Sequence, residues 1–208
     1  MDESAKRSNA MNSLILASSS IYRQQLLKQL GFTFTAIKPN VNESPMLEET
    51  PIDLVKRLSS DKAKVIAVDN PSAFVIGSDQ IAVFEKQIIG KPLNFNSAKK
   101  QLTDFSGNTI EFLTGIYLIC LARDLCEYQL STVSVKFRQL TELEIDCYLN
   151  LDRPFDCAGS FKIEAHGIRL FESVKSDDPT SLQGLPLITL NKMLRDSGFN
   201  DQTGSLLT

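Results

Sequence analysis

Hydrophobic and polar positions along this chain follow two periods, and the change from one to the other marks out strands and helices. Short apolar runs rich in β-branched residues predict strands over residues 14–18, 32–37, 73–80, 109–121 and 128–137, and a hairpin over 81–89. Wider apolar spacing with end signals predicts helices over residues 20–30, 50–68, 97–105, 141–153 and 185–195. This alternation is typical of an α/β protein, and because no linker or repeat divides the chain, any second lobe must share the sheet.

Two of the predicted helices begin with clear capping signals. Thr50 precedes Pro51, which suits the first helical position, and Asp53 stands where its carboxylate can reach back to the cap. Thr141 and Glu144 have the spacing of a capping box. We therefore expect these two helix starts to be sharply defined.

The two ends of the chain lack periodicity. Residues 1–12 and residues 198–208 are polar and small, so we expect both to be disordered tails, and Met11 can serve as an alternative start. The sequence therefore predicts one folded domain over residues 13–197.

Composition narrows the class of protein. The chain has 208 residues, 42% of them hydrophobic and 23% charged, which suits one large globular domain or two small lobes. A net charge of -3 argues against a non-specific hold on DNA or RNA and favours a small ligand. The longest apolar run, residues 115–122, is too short for a membrane span, and residues 1–12 lack the apolar core of a signal peptide. We expect a soluble, cytoplasmic protein.

The four cysteines give no sign of a disulfide framework or a metal site. They form no CxxC pair, and a chain with this much apolar content does not need disulfides, so we expect reduced thiols at Cys120, Cys126, Cys147 and Cys157. Because no histidine is matched to them, thiol nucleophilic catalysis is not expected.

An ionisable residue stands at the end of the apolar run AFVIGSDQ. Open α/β sheets bind ligands at the carboxyl ends of their strands, so Asp79 is placed for chemistry if the strand stops there. The alternative is structural, because an isolated aspartate after a strand often forms an Asx-turn or caps a helix. Other charged positions are needed to decide between the two.

Arg23 lies in the first turn of a predicted helix, where the helix dipole repels a cation. Backbone amides at this strand-to-helix turn, the hydroxyls of Ser18 and Ser20 and the Arg23 guanidinium together would bind a phosphate well. The alternative is that Ser20 is only an N-cap and that Arg23 is solvated.

A lysine falls on the apolar stripe of the helix predicted over residues 50–68. Lys62 follows Leu54 and Leu58 at helical spacing, so its ammonium either points inward to an anion or reaches back to solvent. Lys91 follows a further apolar strand. If the elements converge, Glu43, Lys62, Asp79 and Lys91 surround one cleft with alternating charges.

Six motifs occur in order along the chain: LILASSSIYR, VNES, DKA, IGSDQ, GKPL and CAGSFKIEAHG. In this order they resemble the Maf family of nucleoside triphosphate pyrophosphatases, over about residues 13–197. The resemblance implies a mixed α/β fold, a twisted sheet with flanking helices and two lobes around a deep cleft, similar to the inosine triphosphatase architecture. It also implies hydrolysis of a nucleotide to its monophosphate and pyrophosphate with a divalent cation, Mg²⁺ or Mn²⁺.

The resemblance assigns roles to individual residues. It implies phosphate binding by Ser18, Arg23, Lys62 and Lys91, metal binding by Glu43 and Asp79, and activation of water by Asp79 as general base or as metal ligand. One departure is Gln24, which stands where many members of the family have a second arginine. This departure leaves Arg23 alone at that corner of the expected phosphate site.

Within the family the resemblance is closest to the branch that acts on 7-methyl-GTP. Three specificity positions correspond to Tyr22, Gln80 and Glu164, where the branch acting on dTTP and UTP typically has Arg, Thr and Gln. A carboxylate at Glu164 can accept from the N–H groups of guanine, and Tyr22 can stack on a cationic methylated base. Without the resemblance, the residues themselves favour packing on Leu26 for Tyr22 and a solvated helix charge for Glu164.

Two alternative functions stay open at this stage. One is a dTTP or UTP pyrophosphatase, and the other is a non-catalytic, nucleotide-binding regulator of cell division. Asp79 together with both lysines favours an enzyme, since a sensor does not need a water-activating acid. His166, the only histidine, follows the last motif at a turn and is left out of the predicted site. The expected partner is a small-molecule nucleotide, and a homodimer is suggested only by analogy.

Overall fold

The computed structural model describes residues 13–199, and over that range seven strands form one mixed sheet flanked by five α-helices. The strands are β1 Leu14–Ala17, β2 Thr35–Ala36, β3 Phe74–Phe84, β4 Gln87–Ile89, β5 Thr109–Cys120, β6 Leu125–Phe137 and β7 Phe171–Lys175. The helices are α1 Ile21–Lys28, α2 Pro51–Ala67, α3 Phe95–Phe105, α4 Glu142–Asp152 and α5 Leu187–Asp196. Short 3₁₀ helices cover Leu121–Arg123, Gly167–Leu170 and Pro179–Gln183. The predicted α/β class is confirmed, and no helix in this range is long and apolar enough to cross a membrane.

The sheet order is β2-β1-β3-β5-β6-β7, with β4 paired to the outer part of β3. β1 runs parallel to β2 and β3, whereas β3, β5, β6 and β7 are joined by antiparallel ladders. Both β3 and β5 are long enough to run through two lobes, so the lobes share one sheet, as the absence of a linker predicted.

Core packing shows where one lobe ends and the other begins. Around β1 and the first half of β3, apolar side chains pack against α1 and α5 on one face of the sheet and against α2 on the other. The second half of β3 packs against α3 and α4 on the first face and against the start of α2 on the second. Between these clusters, Asp79 pairs with Gly115 and Gln80 with Thr114, so polar and small residues separate the two cores.

One edge of β3 is open at this boundary. β1 pairs with Phe74–Gly77, and β4 pairs with Ala82–Phe84 on the same side. In the described part of the chain, residues 78–81 therefore have no strand neighbour on that side. An open strand edge between two lobes is a natural floor for a cleft, because ligand atoms can approach the backbone there.

The strand that carries Asp79 does not end on it, and this corrects the sequence interpretation. β3 continues through Asp79 to Phe84, and Asp79 lies in the middle of an eleven-residue strand. The polar run Gly77–Gln80 looks like a strand end because it interrupts an apolar stretch. It is instead the lobe boundary, where side chains face a polar cleft rather than a core. The strand predicted over residues 32–37 is also shorter, with only Thr35–Ala36 in the sheet.

The capping signals predicted the starts of two helices more reliably than the apolar runs predicted the ends of strands. The Thr50 hydroxyl accepts a hydrogen bond from the Asp53 amide and donates to the Asp53 carboxylate, and Pro51 occupies the first turn of α2. Thr141 and Glu144 form the reciprocal capping box of α4. Both predicted helix starts are therefore confirmed.

The predicted tails lie outside the described residues, apart from Gly198 and Phe199 at the start of the second one. The Phe199 ring packs edge-on against Phe32 and Phe74, at centroid distances of 5.5 and 5.2 Å. The folded part of the chain therefore extends at least to Phe199, and the division into one domain and two tails stays a prediction.

Gly77 lets α2 approach the sheet. A Cβ at this position would lie 2.1 Å from the Ser59 carbonyl oxygen and 2.8 Å from the Ala63 Cβ, so the helix would have to move. We expect Gly77→Ala to lower the free energy of unfolding by about 1–3 kcal/mol, the usual effect of overpacking. Chemical denaturation of the purified variant measures this change.

Gly90→Ala is the matched control for that prediction. A Cβ at Gly90 would have nothing within 4 Å, so we expect a change within about 0.5 kcal/mol. Equal stability of the two variants would contradict the close packing of α2 on β3.

Candidate active site

A cleft of about 890 Å³ opens at the uncovered edge of β3. Its walls come from the β1–α1 turn, the loop after β2, α2, the β4 hairpin and the loops near residues 156–164 and 182–184. The cleft is lined by all nine residues to which the resemblance assigned a role: Ser18, Tyr22, Arg23, Glu43, Lys62, Asp79, Gln80, Lys91 and Glu164. The convergence that the sequence left open is therefore present in the structure.

Lys62 bridges the two acidic residues of the cleft. Side chains alternate along β3, so Asp79 faces α2 together with Val75 and Ile81, and Lys62 lies on the α2 face that meets them. The Lys62 Nζ is 2.6 Å from Asp79 Oδ1 and 2.7 Å from Glu43 Oε1. The Lys62 side chain is 7% exposed, so it points inward to anions and does not reach back to solvent.

The two carboxylates have different environments. The Asp79 side chain is 11% exposed, whereas that of Glu43 is 58% exposed and lies on the loop after β2. The hydrogen bond from Lys62 lowers the pKa of Glu43 below its ordinary value, with burial acting against it. Glu43 is therefore ionised at neutral pH and open to a ligand.

The β1–α1 turn presents a buried hydroxyl and a guanidinium to the cleft. The Ser18 Oγ accepts from the Ser20 amide at 3.1 Å, and the Ser20 hydroxyl accepts from the Arg23 amide as N-cap of α1. Arg23 Nε donates to the Gly184 carbonyl oxygen at 2.8 Å, so a ligand would be bound by the two terminal nitrogens. Burial lowers the pKa of Arg23, while Asp79 and Glu43 act in the opposite direction.

Ser20 is the N-cap, but Arg23 donates to the Gly184 carbonyl and lines the cleft, so the interpretation of Arg23 as a solvated side chain was wrong. Gln24, which departs from the family pattern, is not among the residues that line the cleft. Lys91 follows β4, lines the cleft and is exposed, and Lys38 adds a cation that the sequence interpretation missed. The cleft therefore has four cationic side chains on different elements.

Tyr22 and Glu164 both line the cleft, and they are near enough for the Glu164 charge to act on the Tyr22 hydroxyl. Burial raises the pKa of the Tyr22 hydroxyl, Lys162 acts against this change and Glu164 adds to it. Glu164 is exposed, as the solvated-charge alternative expected, but it belongs to a turn and not to a helix. Tyr22 is partly buried and lines the cleft, which distinguishes it from a core residue.

Gln80 is held in a defined orientation on the other face of β3. Its amide nitrogen donates to the Ser181 carbonyl at 2.7 Å and to the Thr114 hydroxyl at 2.9 Å. The Ser181 carbonyl can only accept, so the amide group must point its nitrogen there. This leaves the Gln80 amide oxygen as the acceptor that a ligand can use.

Several contributors to the site have no sequence signature. The Gly184 carbonyl accepts from both Arg23 and the Ser78 hydroxyl, and a backbone oxygen cannot be recognised from residue type. Cys157 also lines the cleft beside Asp156, and burial raises the pKa of its thiol to about 12. None of the four cysteines forms a disulfide in this structure.

His166 lies outside the cleft, which agrees with its exclusion from the predicted site. Its ring nitrogen Nδ1 is 2.6 Å from Asp152 Oδ1, and it lines a second cavity of about 300 Å³ next to α4. The Asp152 side chain is 3% exposed and also accepts a hydrogen bond from the His166 amide at 3.0 Å, so it connects this turn to α4.

The oxygen ligands of the cleft suit a hard divalent cation such as Mg²⁺ or Mn²⁺. Within residues 13–199 no three His, Cys, Asp or Glu side chains come together as a metal cluster. Glu43 and Asp79 supply carboxylate oxygens that are close together, because both contact the same Lys62 ammonium group. This donor set fits a cation whose remaining ligands are phosphate oxygens and water.

Fold and site together define a class: a mixed α/β protein with a nucleotide-sized cleft between two lobes, lined by cations and a carboxylate pair. Such a cleft suits a small polyanion. The family model for Maf-like proteins matches residues 13–197, and the chain belongs to the Maf family.

Curated relatives are similar over nearly their whole length. A protein of Pseudoalteromonas translucida named 7-methyl-GTP pyrophosphatase is 46% identical over 187 residues, 90% of this chain and 93% of the relative. Proteins of the same name from Xanthomonas oryzae pv. oryzae and Pseudomonas savastanoi pv. phaseolicola are each 47% identical, over 91% of this chain and 99% of the relative. The Staphylococcus aureus Ham1 protein superposes with a TM-score of 0.46 at 12% identity, covering 88% of this chain and 98% of that protein, too low to support an inference.

Proposed function

We propose that this protein hydrolyses 7-methyl-GTP to 7-methyl-GMP and pyrophosphate. Membership of the Maf family and the names of relatives at 43–47% identity support a nucleotide pyrophosphatase. The observation that carries the proposal is the Glu43–Lys62–Asp79 group, which lies at the open edge of β3 in the same cleft as Arg23 and Tyr22.

The triphosphate is bound by the cationic side of the cleft. The terminal nitrogens of Arg23 and the ammonium groups of Lys62 and Lys91 neutralise its charge, and the Ser18 hydroxyl donates to a phosphate oxygen. Arg23 is pre-oriented by the Gly184 carbonyl, so little side-chain freedom is lost on binding.

Asp79 acts on the attacking water. Its carboxylate orients the water and takes its proton as the water oxygen bonds to the α-phosphorus. The bond between the α-phosphorus and the bridging oxygen breaks, and pyrophosphate leaves with the bonding electrons. Lys62 donates a hydrogen bond to Asp79, which holds the carboxylate in place and adds positive charge where negative charge develops on the phosphate.

Glu43 and Asp79 are the residues that hold a divalent cation in this proposal. When bound, the cation activates water and neutralises phosphate charge. Glu43 reaches this position from an exposed loop, whereas Asp79 is fixed in the sheet.

The base is recognised at the Tyr22 end of the cleft. The Glu164 carboxylate and the Gln80 amide oxygen are both acceptors, and guanine offers N–H donors on the edge that would face them. Methylation of the imidazole side makes the base cationic, so stacking on the Tyr22 ring gains a cation–π contribution of roughly 0.5–2 kcal/mol.

The test is pyrophosphate release from 7-methyl-GTP, GTP, dTTP, UTP, CTP and inosine triphosphate with Mn²⁺ or Mg²⁺. We expect the highest kcat/KM for 7-methyl-GTP. Glu164→Gln should lower that value by about 10-fold or more, because an amide nitrogen then faces the guanine donors.

Glu172→Gln is the matched control, since Glu172 is an exposed glutamate on β7 that does not line the cleft, and it should leave every kcat/KM unchanged. A preference for dTTP or UTP would contradict the base assignment and keep the pyrophosphatase. Tight nucleotide binding without pyrophosphate release would support the regulatory alternative.

Two coarser expectations accompany the proposal. The substrate is a free small-molecule nucleotide and the enzyme acts in the cytoplasm. A homodimer stays a prediction, which light scattering of the purified protein measures.

A further inference from the structure

Arg57 on α2 contacts the loop that carries Glu43. Residues 42–49 are called here the Glu43 loop. The Arg57 guanidinium donates to both carboxylate oxygens of Glu49, with Nε 2.6 Å from Oε1 and Nη2 2.9 Å from Oε2. It also donates to the Ser44 carbonyl at 3.0 Å and to the Asn42 carbonyl at 3.4 Å.

These two carbonyls are the immediate neighbours of Glu43 along the chain. Arg57 therefore holds the backbone on both sides of the residue that reaches Lys62. The Glu49 carboxylate adds a further constraint, because its Oε2 accepts from the Met46 amide at 3.0 Å. One arginine and one glutamate thus connect four points of the loop to each other and to α2.

The loop has little apolar packing to hold it otherwise. Met46 is 61% exposed and Leu47 is 95% exposed, whereas the Arg57 and Glu49 side chains are 18% and 8% exposed. In a bidentate arginine–carboxylate pair with this little solvent access, two parallel hydrogen bonds fix the orientation of the two side chains relative to each other. The hydrogen bond from Arg57 also lowers the pKa of Glu49 to about 2, so the pair stays charged across the working pH range.

We propose that Arg57 and Glu49 form a clamp that positions Glu43 in the active site. Arg57 and Lys62 lie on the same rigid helix, so the backbone and the carboxylate of Glu43 are both placed relative to α2. Arg57 is a positioning residue that acts through Glu43 and does not touch substrate. The catalytic part of this inference rests on the proposed function, because it assumes that Glu43 binds the cation and phosphates there.

The first test needs neither nucleotide nor metal. Hydrogen–deuterium exchange of the full chain follows the Ser44 and Met46 amides, which are hydrogen-bonded to Asn42 Oδ1 and Glu49 Oε2. Arg57→Ala should speed exchange in the Glu43 loop by about 10-fold or more and leave the β3 and β5 peptides unchanged. Unchanged exchange in the loop would overturn the clamp.

Arg138→Ala is the matched control. Arg138 also pairs with a glutamate, Glu144 at 3.1 Å, and donates to a backbone carbonyl, that of Arg169 at 2.8 Å. It lies beside the second cavity, outside the cleft. This variant should leave exchange of the Glu43 loop and kcat/KM unchanged, and a change in either like that of Arg57→Ala would overturn the assignment.

The second test is a double-mutant cycle with Glu43. Arg57→Ala should lower kcat/KM by about 10-fold or more and raise the Mn²⁺ concentration needed for half-maximal rate. Arg57→Lys should have a kcat/KM between those of the wild type and Arg57→Ala, because lysine cannot make the bidentate contact with the Glu49 carboxylate. In a Glu43→Gln background the same change should cost less than about 2-fold. Equal losses in both backgrounds would overturn the positioning role.

Absence of pyrophosphate release from every nucleotide would reject the proposed function, while the exchange experiment still decides whether the clamp exists.

Discussion

Asp79→Asn should lower kcat for pyrophosphate release by about 100-fold or more. Asparagine has nearly the same shape and can accept the hydrogen bond from Lys62, so the sheet and α2 should keep their packing. What it removes is the negative charge and basicity at the centre of the open β3 edge, where the attacking water must be oriented and deprotonated. The measurement is the steady-state rate of pyrophosphate release with saturating 7-methyl-GTP and Mn²⁺.

The chain contains a matched control for this prediction. Lys99 also lies between a glutamate and an aspartate, 2.7 Å from Glu142 Oε1 and 2.9 Å from Asp146 Oδ2, and these three residues do not line the cleft. Asp146→Asn removes a carboxylate from an arrangement of the same composition and should leave kcat unchanged. Near-normal turnover by a folded Asp79→Asn protein would show that Asp79 does not act on water.

Lys62→Met should lower kcat/KM by about 10²- to 10³-fold, the usual cost of removing one preorganised charge from a site where negative charge develops. Methionine fills a volume similar to that of Lys62 on the apolar stripe of α2 but lacks the ammonium group. Asp79 and Glu43 then face the incoming triphosphate with no positive charge between them, so substrate binding and transition-state stabilisation are both weakened. Rates as a function of 7-methyl-GTP and Mn²⁺ concentration separate the two effects.

Lys99→Met is the control, since it breaks the equivalent ion pairs outside the cleft and should leave kcat/KM within about 2-fold. Thermal unfolding of both variants sets an assay temperature at which each is folded. If Lys62 serves only to neutralise the two carboxylates before the cation binds, high Mn²⁺ should restore the rate of Lys62→Met. Such recovery would contradict a direct role of Lys62 toward the phosphates.

Elements with a complete local signal were predictable from the sequence. The starts of α2 and α4 follow from hydroxyl, proline and carboxylate residues within one helical turn, so their cause is contained in neighbouring residues. β7 was missed because FESVK is short and exposed, and nothing in its residues distinguishes it from a loop. It joins the sheet only through its antiparallel backbone pairing with β6.

The candidate site divides in the same way. Lys62 was recognisable because a charge on an apolar helical stripe is unusual, and Asp79 because it interrupts an apolar run. The partner of Lys62 was not determined by either pattern, since Glu43 lies 19 positions before it and Asp79 17 positions after it. Arg57 carried no comparable signal, because an arginine on the polar side of a helix is ordinary until its loop is seen.

By itself the sequence determined the α/β class, the helix caps and the set of residue types available for phosphate chemistry. These depend on hydrophobic period, backbone capping and the order of motifs, which are local properties. Only the tertiary structure decided that Lys62 points inward, that β3 continues through Asp79 and that its edge is open between β1 and β4. It also decided that the Gly184 carbonyl orients Arg23 and that Arg57 contacts the Glu43 loop. Those features arise from contacts between residues far apart in the chain, and their geometry depends on how the strands pair and how closely α2 packs over Gly77.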